Sequence, residues 1–128
     1  MKLLLDTHVF IWWDSDPARL SRTAAALLND PEHVLMLSVA SLWEMQIKHQ
    51  LGKITLHVPL ADTIIHQQST NGLVLLPITP IHVYGVGSLP LAHKDPFDRL
   101  LAAQALAEDA ALVTADAALS AYPIRVLW

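Results

Sequence analysis

A chain of 128 residues with 53% hydrophobic and only 16% charged side chains fits one core of ordinary size, and excludes intrinsic disorder and a solvated coiled coil. Eight Lys and Arg stand against twelve Asp and Glu, a formal charge of −4, so the molecule as a whole is not built to grip a polyanion and any nucleic-acid contact must be local or metal-mediated. Cysteine is absent, which removes disulfides, thiolate catalysis and Cys-type zinc sites and fits a reducing cytoplasm, while a mean hydropathy of +0.39 predicts self-association or a standing partner.

In chain order, Met1 to Leu5 reaches Asp6 before the apolar region of an export signal could form, and Lys2 to Asp6 reads as a short buried strand ending in an acid. Ala18 to Leu28 has a helical pattern, Val34 to Ser38 is a second apolar strand, and Val39 to Leu51 and Leu60 to Gln68 are helical. Leu73 to Ile78 is a third strand. Thr63 to His93 carries no Asp, Glu, Lys or Arg, but Asn71-Gly72, Pro77, Pro80, Gly85, Gly87 and Pro90 interrupt it, so it reads as buried helix, strand and helix and not as a membrane span. Pro96 to Ala110 is an Ala- and Leu-rich helix with Asp95 as its cap and Pro96 in its first turn. Ala111 to Thr114 and Ile124 to Trp128 supply the last strands. Strand and helix alternate without a linker, which predicts one α/β domain over 1–128, an open, mostly parallel sheet with helices on both faces, and a ligand site beyond the carboxyl ends of the strands.

Four acids fall at that edge: Asp6 closes the first strand, Glu44 sits in the helix after the second, Asp98 starts the Ala-rich helix, and Asp116 follows Ala111 to Thr114. Two carboxylates ~5 Å apart repel by ~3 kcal/mol at an effective dielectric of about 20, so such a cluster calls for a divalent cation. Oxygen ligands suit Mg²⁺ or Mn²⁺, and the chemistry favoured is metal-assisted phosphodiester hydrolysis. Each acid also has a local reading. Asp6 could cap the next helix, Ser41-Leu42-Trp43-Glu44 matches a capping box, Glu44 and Lys48 form an i,i+4 pair, and Asp98 and Asp116 suit helix N-termini.

Leu4-Leu5-Asp6-Thr7-His8, Ser38 to Glu44, His93 to Ala105 and Leu112-Val113-Thr114-Ala115-Asp116 together resemble the motifs of PIN-domain ribonucleases, in particular VapC-type toxins of bacterial toxin–antitoxin pairs. The similarity spans nearly the whole chain, and Asp95-Pro96-Phe97-Asp98-Arg99 with its Ala-rich helix is its most specific part. It implies a five-stranded PIN-like sheet, Mg²⁺ or Mn²⁺ bound by Asp6, Glu44, Asp98 and Asp116, and cleavage of single-stranded or looped RNA to a 3′-hydroxyl and a 5′-phosphate. It also implies a homodimer, inhibited by a VapB-like antitoxin whose C-terminal segment lies beside the acids. Ala115 departs from the pattern, since a basic or polar residue often precedes the last acid.

Thr7 and Thr114 are candidates for positioning the acids or a water, and Lys48, Lys53, Lys94 and Arg99 for RNA phosphates. Trp12, Trp13 and Trp43 are candidates for an antitoxin groove, the alternative being ordinary packing. Seven histidines, His93 among them, show no compact zinc-ligand spacing. Two other functions compete. A haloacid-dehalogenase-like phosphatase needs a second Asp where His8 stands, and a receiver-like phosphoacceptor needs paired acids and an Asp on a middle strand.

Overall fold

The computed structural model describes residues 1–128. The chain begins with β1 (Lys2–Leu5), α1 (Thr7–Ser15), a 3₁₀ turn (Pro17–Arg19) and α2 (Arg22–Leu28). β2 (Val34–Ser38) runs straight into α3 (Val39–Gln50), followed by α4 (Leu60–Asn71), β3 (Val74–Leu76) and α5 (Pro80–Val86). Then come α6 (Pro96–Ala107), β4 (Ala111–Val113), a second 3₁₀ turn (Ala117–Ala121) and β5 (Val126–Leu127). The strands form a single five-stranded sheet in the order β3-β2-β1-β4-β5, parallel at every pairing.

β1 lies at the centre because it can be buried on both faces. Leu3 and Leu5 enter one core cluster with Val9, Phe10, Leu28, Met45 and Ile64, while Leu4 points into the other with Leu101, Leu112 and Leu119. Leu3, Leu4 and Leu5 are fully buried, so truncating one to Ala is expected to cost about 2–5 kcal/mol. Ala102, Ala103 and Ala105 on α6 are also buried, and their small side chains bring that helix close to its neighbours.

Four local expectations are corrected. The helix from Ala18 is interrupted: Leu20 is extended, and Ser21 caps α2 by accepting a hydrogen bond from the Ala24 N–H at 3.0 Å. α1 has no counterpart in the sequence reading, because its Val-Phe-Ile-Trp-Trp run lacks strong helix formers and burial of Val9 and Phe10 overrides propensity. Ser38, not Ser41, caps α3, its Oγ accepting from the Ala40 N–H at 3.1 Å, so Ser41 stands inside the helix and the capping-box reading of Glu44 fails. The charge-free stretch 63–93 does fold as helix, strand and helix, yet much of it is exposed: Ile65, Ile81, Val83, Tyr84 and Leu91 all face solvent on the isolated chain. No helix is long and apolar enough to cross a membrane.

Candidate metal centre

Parallel pairing of β1 with β4 puts Leu5 opposite Val113, so the residues that follow them, Asp6 and Thr114, emerge side by side. Asp6 precedes α1, but its carboxylate caps nothing. Instead its Oδ2 accepts the Thr114 hydroxyl at 2.7 Å in a buried pocket. Thr114 Oγ1 in turn accepts from the Asp116 N–H at 3.0 Å, which ties the last acid to the first.

Glu44 enters from α3 and is also buried. Its Oε1 accepts the Thr7 hydroxyl at 2.7 Å, Thr7 Oγ1 lies 2.9 Å from Ser41 Oγ, and Lys48 Nζ reaches Glu44 Oε2 at 2.8 Å. Asp98 stands at the third position of α6, a helix started by Asp95, whose Oδ1 accepts from the Phe97 N–H at 2.9 Å. Asp116 caps the second 3₁₀ turn by accepting from the Ala118 N–H at 3.0 Å, so its local reading and a place at the site hold together.

His93 joins Asp98 to Asp116. Its Nε2 lies 3.1 Å from Asp116 Oδ2 and 3.4 Å from Asp98 Oδ2, and its Nδ1 accepts from the Asp95 N–H at 3.1 Å. Sequence reasoning weighed His93 only as a zinc ligand, and it did not single out Ser41 as Thr7's neighbour. The usable signal for His93 was its position two residues before the cap residue Asp95.

Burial dominates the electrostatics of the site, and neighbouring carboxylates add to it. Burial pushes the Asp6 carboxyl above its ordinary value, with Glu44 adding to the rise against the Thr114 hydrogen bond. Burial, then the charges of Asp6 and Asp95, pushes Asp98 up to about 7. Asp116 is held below the usual carboxylate range by the Ala118 N–H and then by His93. A cation among these oxygens relieves the repulsion, and the donor set of carboxylates suits Mg²⁺ or Mn²⁺.

The remaining candidates separate. Lys48, Lys53 and Lys94 line one groove of about 430 Å³ with Glu44, Leu51 and Phe97. Arg99 is spent elsewhere: its guanidinium donates to Pro90 O at 2.8 Å, Val86 O at 3.1 Å and the Tyr122 hydroxyl at 3.3 Å, holding the loop before α6, so it is not free for a phosphate. The tryptophans do not share one groove. Trp12 lies against Trp128 and under Arg19, Trp13 packs on Phe10 at the edge of the core, and Trp43, 63% exposed, meets Phe97 edge-on and lines an apolar groove between α3 and α4 with Leu42, Ile64 and Ile65.

The competing functions find no support. β1 ends in a lone Asp6 followed by Thr7 and an exposed His8, and β2 ends in Ser38, so neither a dehalogenase-type pair nor a phosphoacceptor Asp is in place.

Ribonuclease VapC22 of Mycobacterium tuberculosis is 33% identical to this chain over 117 residues, covering 89% of this chain and 86% of that protein. Among solved structures, VapBC2 from Rickettsia felis, crystallised on a DNA fragment from its promoter, superposes with a TM-score of 0.76 at 17% identity over 99% of this chain and 98% of that one. FitAcB from Neisseria gonorrhoeae gives 0.63 at 19% identity over 98% and 96%. The second and third likenesses are of fold. A family model, the PIN domain, matches residues 3–124, and the chain therefore belongs to the PIN-domain family.

Proposed function

We propose that this chain, acting as one domain over 1–128, is a divalent-metal-dependent endoribonuclease and the toxin of a toxin–antitoxin pair. The observation that supports the reading is the approach of the four acids to one sheet edge: Asp6 is tied to Asp116 through Thr114, His93 stands between Asp116 and Asp98, and Asp6, Glu44 and Asp98 feel one another's charge. Asp6, Glu44 and Asp98 would hold Mg²⁺ or Mn²⁺, with Asp116 beside them. When bound, the cation lowers the pKa of the attacking water and offsets charge developing on the phosphorus oxygens.

The chain's own groups do the rest. Thr114 and Thr7 fix the Asp6 and Glu44 carboxylates in orientation through their 2.7 Å hydrogen bonds. Lys53 and Lys94, with Lys48 held on Glu44, line the groove that opens on Glu44 and give an acidic molecule a local path for an RNA backbone. Hydrolysis of the phosphodiester by water leaves a 3′-hydroxyl and a 5′-phosphate.

An antitoxin partner is supported by solved structures of similar fold, among them VapBC and FitAB complexes and a toxin–antitoxin complex from Klebsiella pneumoniae. The apolar groove at Trp43 suits such a partner, and the exposed Ile81, Tyr84 and Leu91 suit a homodimer in the cytoplasm. The test is incubation of purified protein with total RNA in Mn²⁺ and in excess EDTA, alongside Asp6→Asn. Cleavage confined to the wild type in Mn²⁺ is expected, and RNA left intact by the wild type in both Mn²⁺ and Mg²⁺ refutes the reading.

A further inference from the structure

His93 has two ring nitrogens with opposite duties. A backbone N–H is always a donor, so Nδ1, receiving the Asp95 N–H at 3.1 Å, must present its lone pair. The ring proton of the neutral imidazole is thereby placed on Nε2, the atom that faces Asp116 Oδ2 at 3.1 Å and Asp98 Oδ2 at 3.4 Å. A nitrogen carrying a proton cannot ligate a cation. Although the ligand atoms of His93, Asp98 and Asp116 lie within 4.8 Å of one another, the geometry speaks against a His-Asp-Asp site.

We propose that His93 is a positioning residue: its Nε2–H donates to Asp116 Oδ2, in the turn after β4, while the same nitrogen lies 3.4 Å from Asp98 Oδ2 at the start of α6, so that the ring sets the spacing of Asp98 from Asp116 at the edge of the cation's site. The inference rests on the metal-dependent reading above, and adds a member that does not touch the cation. Asp116 has no side-chain donor other than His93 among its hydrogen bonds and Asp98 has none, whereas Asp6 and Glu44 have Thr114 and Thr7. Orienting donors of this kind typically change metal affinity 10–100-fold.

A purely structural role is the competing account. His82 shows that this chain uses the same device for structure alone, its Nδ1 accepting from the Thr79 N–H at 3.1 Å in the α5 start and its Nε2 lying 3.4 Å from Glu108 Oε2, away from Asp6, Glu44, Asp98 and Asp116. Two substitutions separate the roles. His93→Gln keeps a donor at the reach of Nε2, and His93→Asn keeps an acceptor at the reach of Nδ1.

Mn²⁺ binding by calorimetry, melting temperature, and ¹⁵N NMR of the imidazole with and without Mg²⁺ are the measurements. Expected are a loss of Mn²⁺ affinity of about 10-fold or more in His93→Ala, recovery of most of it in Gln but not in Asn, and an Nε2–H tautomer that survives Mg²⁺ binding. Wild-type affinity in His93→Ala overturns the proposal, as does recovery in Asn alone, or a ring proton found on Nδ1 in the Mg²⁺-loaded protein. Wild-type protein that bound neither ion would defeat the metal-dependent reading itself. The tautomer of the metal-free protein would then still decide the bridge, with a proton on Nδ1 overturning it.

Discussion

Asp98→Asn should make the metal-free protein more stable near neutral pH while destroying its activity. Between an ordinary carboxylate value and about 7 the folded protein holds a proton on Asp98 that the unfolded chain has released, so this group makes stability fall as pH rises through that window. At ~1.4 kcal/mol per pKa unit, the full rise from the ordinary 3.8 would correspond to ~4 kcal/mol. The side chain is partly exposed and water screens its neighbours, which reduces the expected effect to about 1–2 kcal/mol. For a domain of this size that is a shift of about 3–8 °C in melting temperature. The assay is thermal denaturation by circular dichroism in EDTA, for wild type and Asp98→Asn, at about pH 5 and about pH 8. The amide variant should melt higher at the upper pH and the gap should close at the lower. Saturating Mn²⁺ should invert the order, because a cation at ~100 times its Kd adds ~2.7 kcal/mol to the wild type alone. An Asp98→Asn protein that melts below wild type at about pH 8 in EDTA would refute the argument from crowded charge.

Asp95, three residues away, should behave differently: Asp95→Asn keeps the cap on Phe97 and most RNA cleavage, whereas Asp95→Ala lowers stability by about 1 kcal/mol in the same melts. Arg99→Ala should cost about 1–3 kcal/mol of stability by releasing Pro90 and Val86, while Lys94→Ala should leave the melt unchanged and weaken RNA binding with a shallower salt dependence. Equal melts for these two variants would show that the Arg99 clamp is idle. Light scattering at micromolar protein should find a dimer in wild type and a shift toward monomer in Tyr84→Asp, a change in the exposed apolar face of α5; a wild-type monomer contradicts that assignment.

The sheet was legible in the sequence because its strands are short runs of apolar residues between helical patterns, and Val34–Ser38 is where that pattern put it. Asp6 was conspicuous for a related reason: in a chain with little charge, an acid closing an apolar strand stands out. What stayed hidden depends on partners distant in sequence. α1 exists because Val9 and Phe10 find a core, not because its residues favour a helix. Arg99 looked like a cation near the acids, and only the folded path of 86–90 reveals the carbonyls that claim it. The tryptophans looked alike in sequence, but their helices point them to different neighbours. His93 was discounted for lacking ligand spacing, which is the wrong test for a residue whose nitrogens face a backbone amide and two carboxylates.

The hydrogen bond from Thr114 to Asp6 spans 108 positions of sequence. β1 precedes the other four strands in the chain, yet it lies in the middle of the sheet and gains its second neighbour only when Ala111–Val113 has been made. Contacts of such separation close late in folding, after the entropy of a long loop has been overcome. A nascent or truncated chain thus carries Asp6 and Glu44 without Asp98, His93, Thr114 or Asp116, and cannot present the acidic cluster. The order of the strands works as a timer: Asp6 meets Thr114, and through it Asp116, only as β4 docks beside β1.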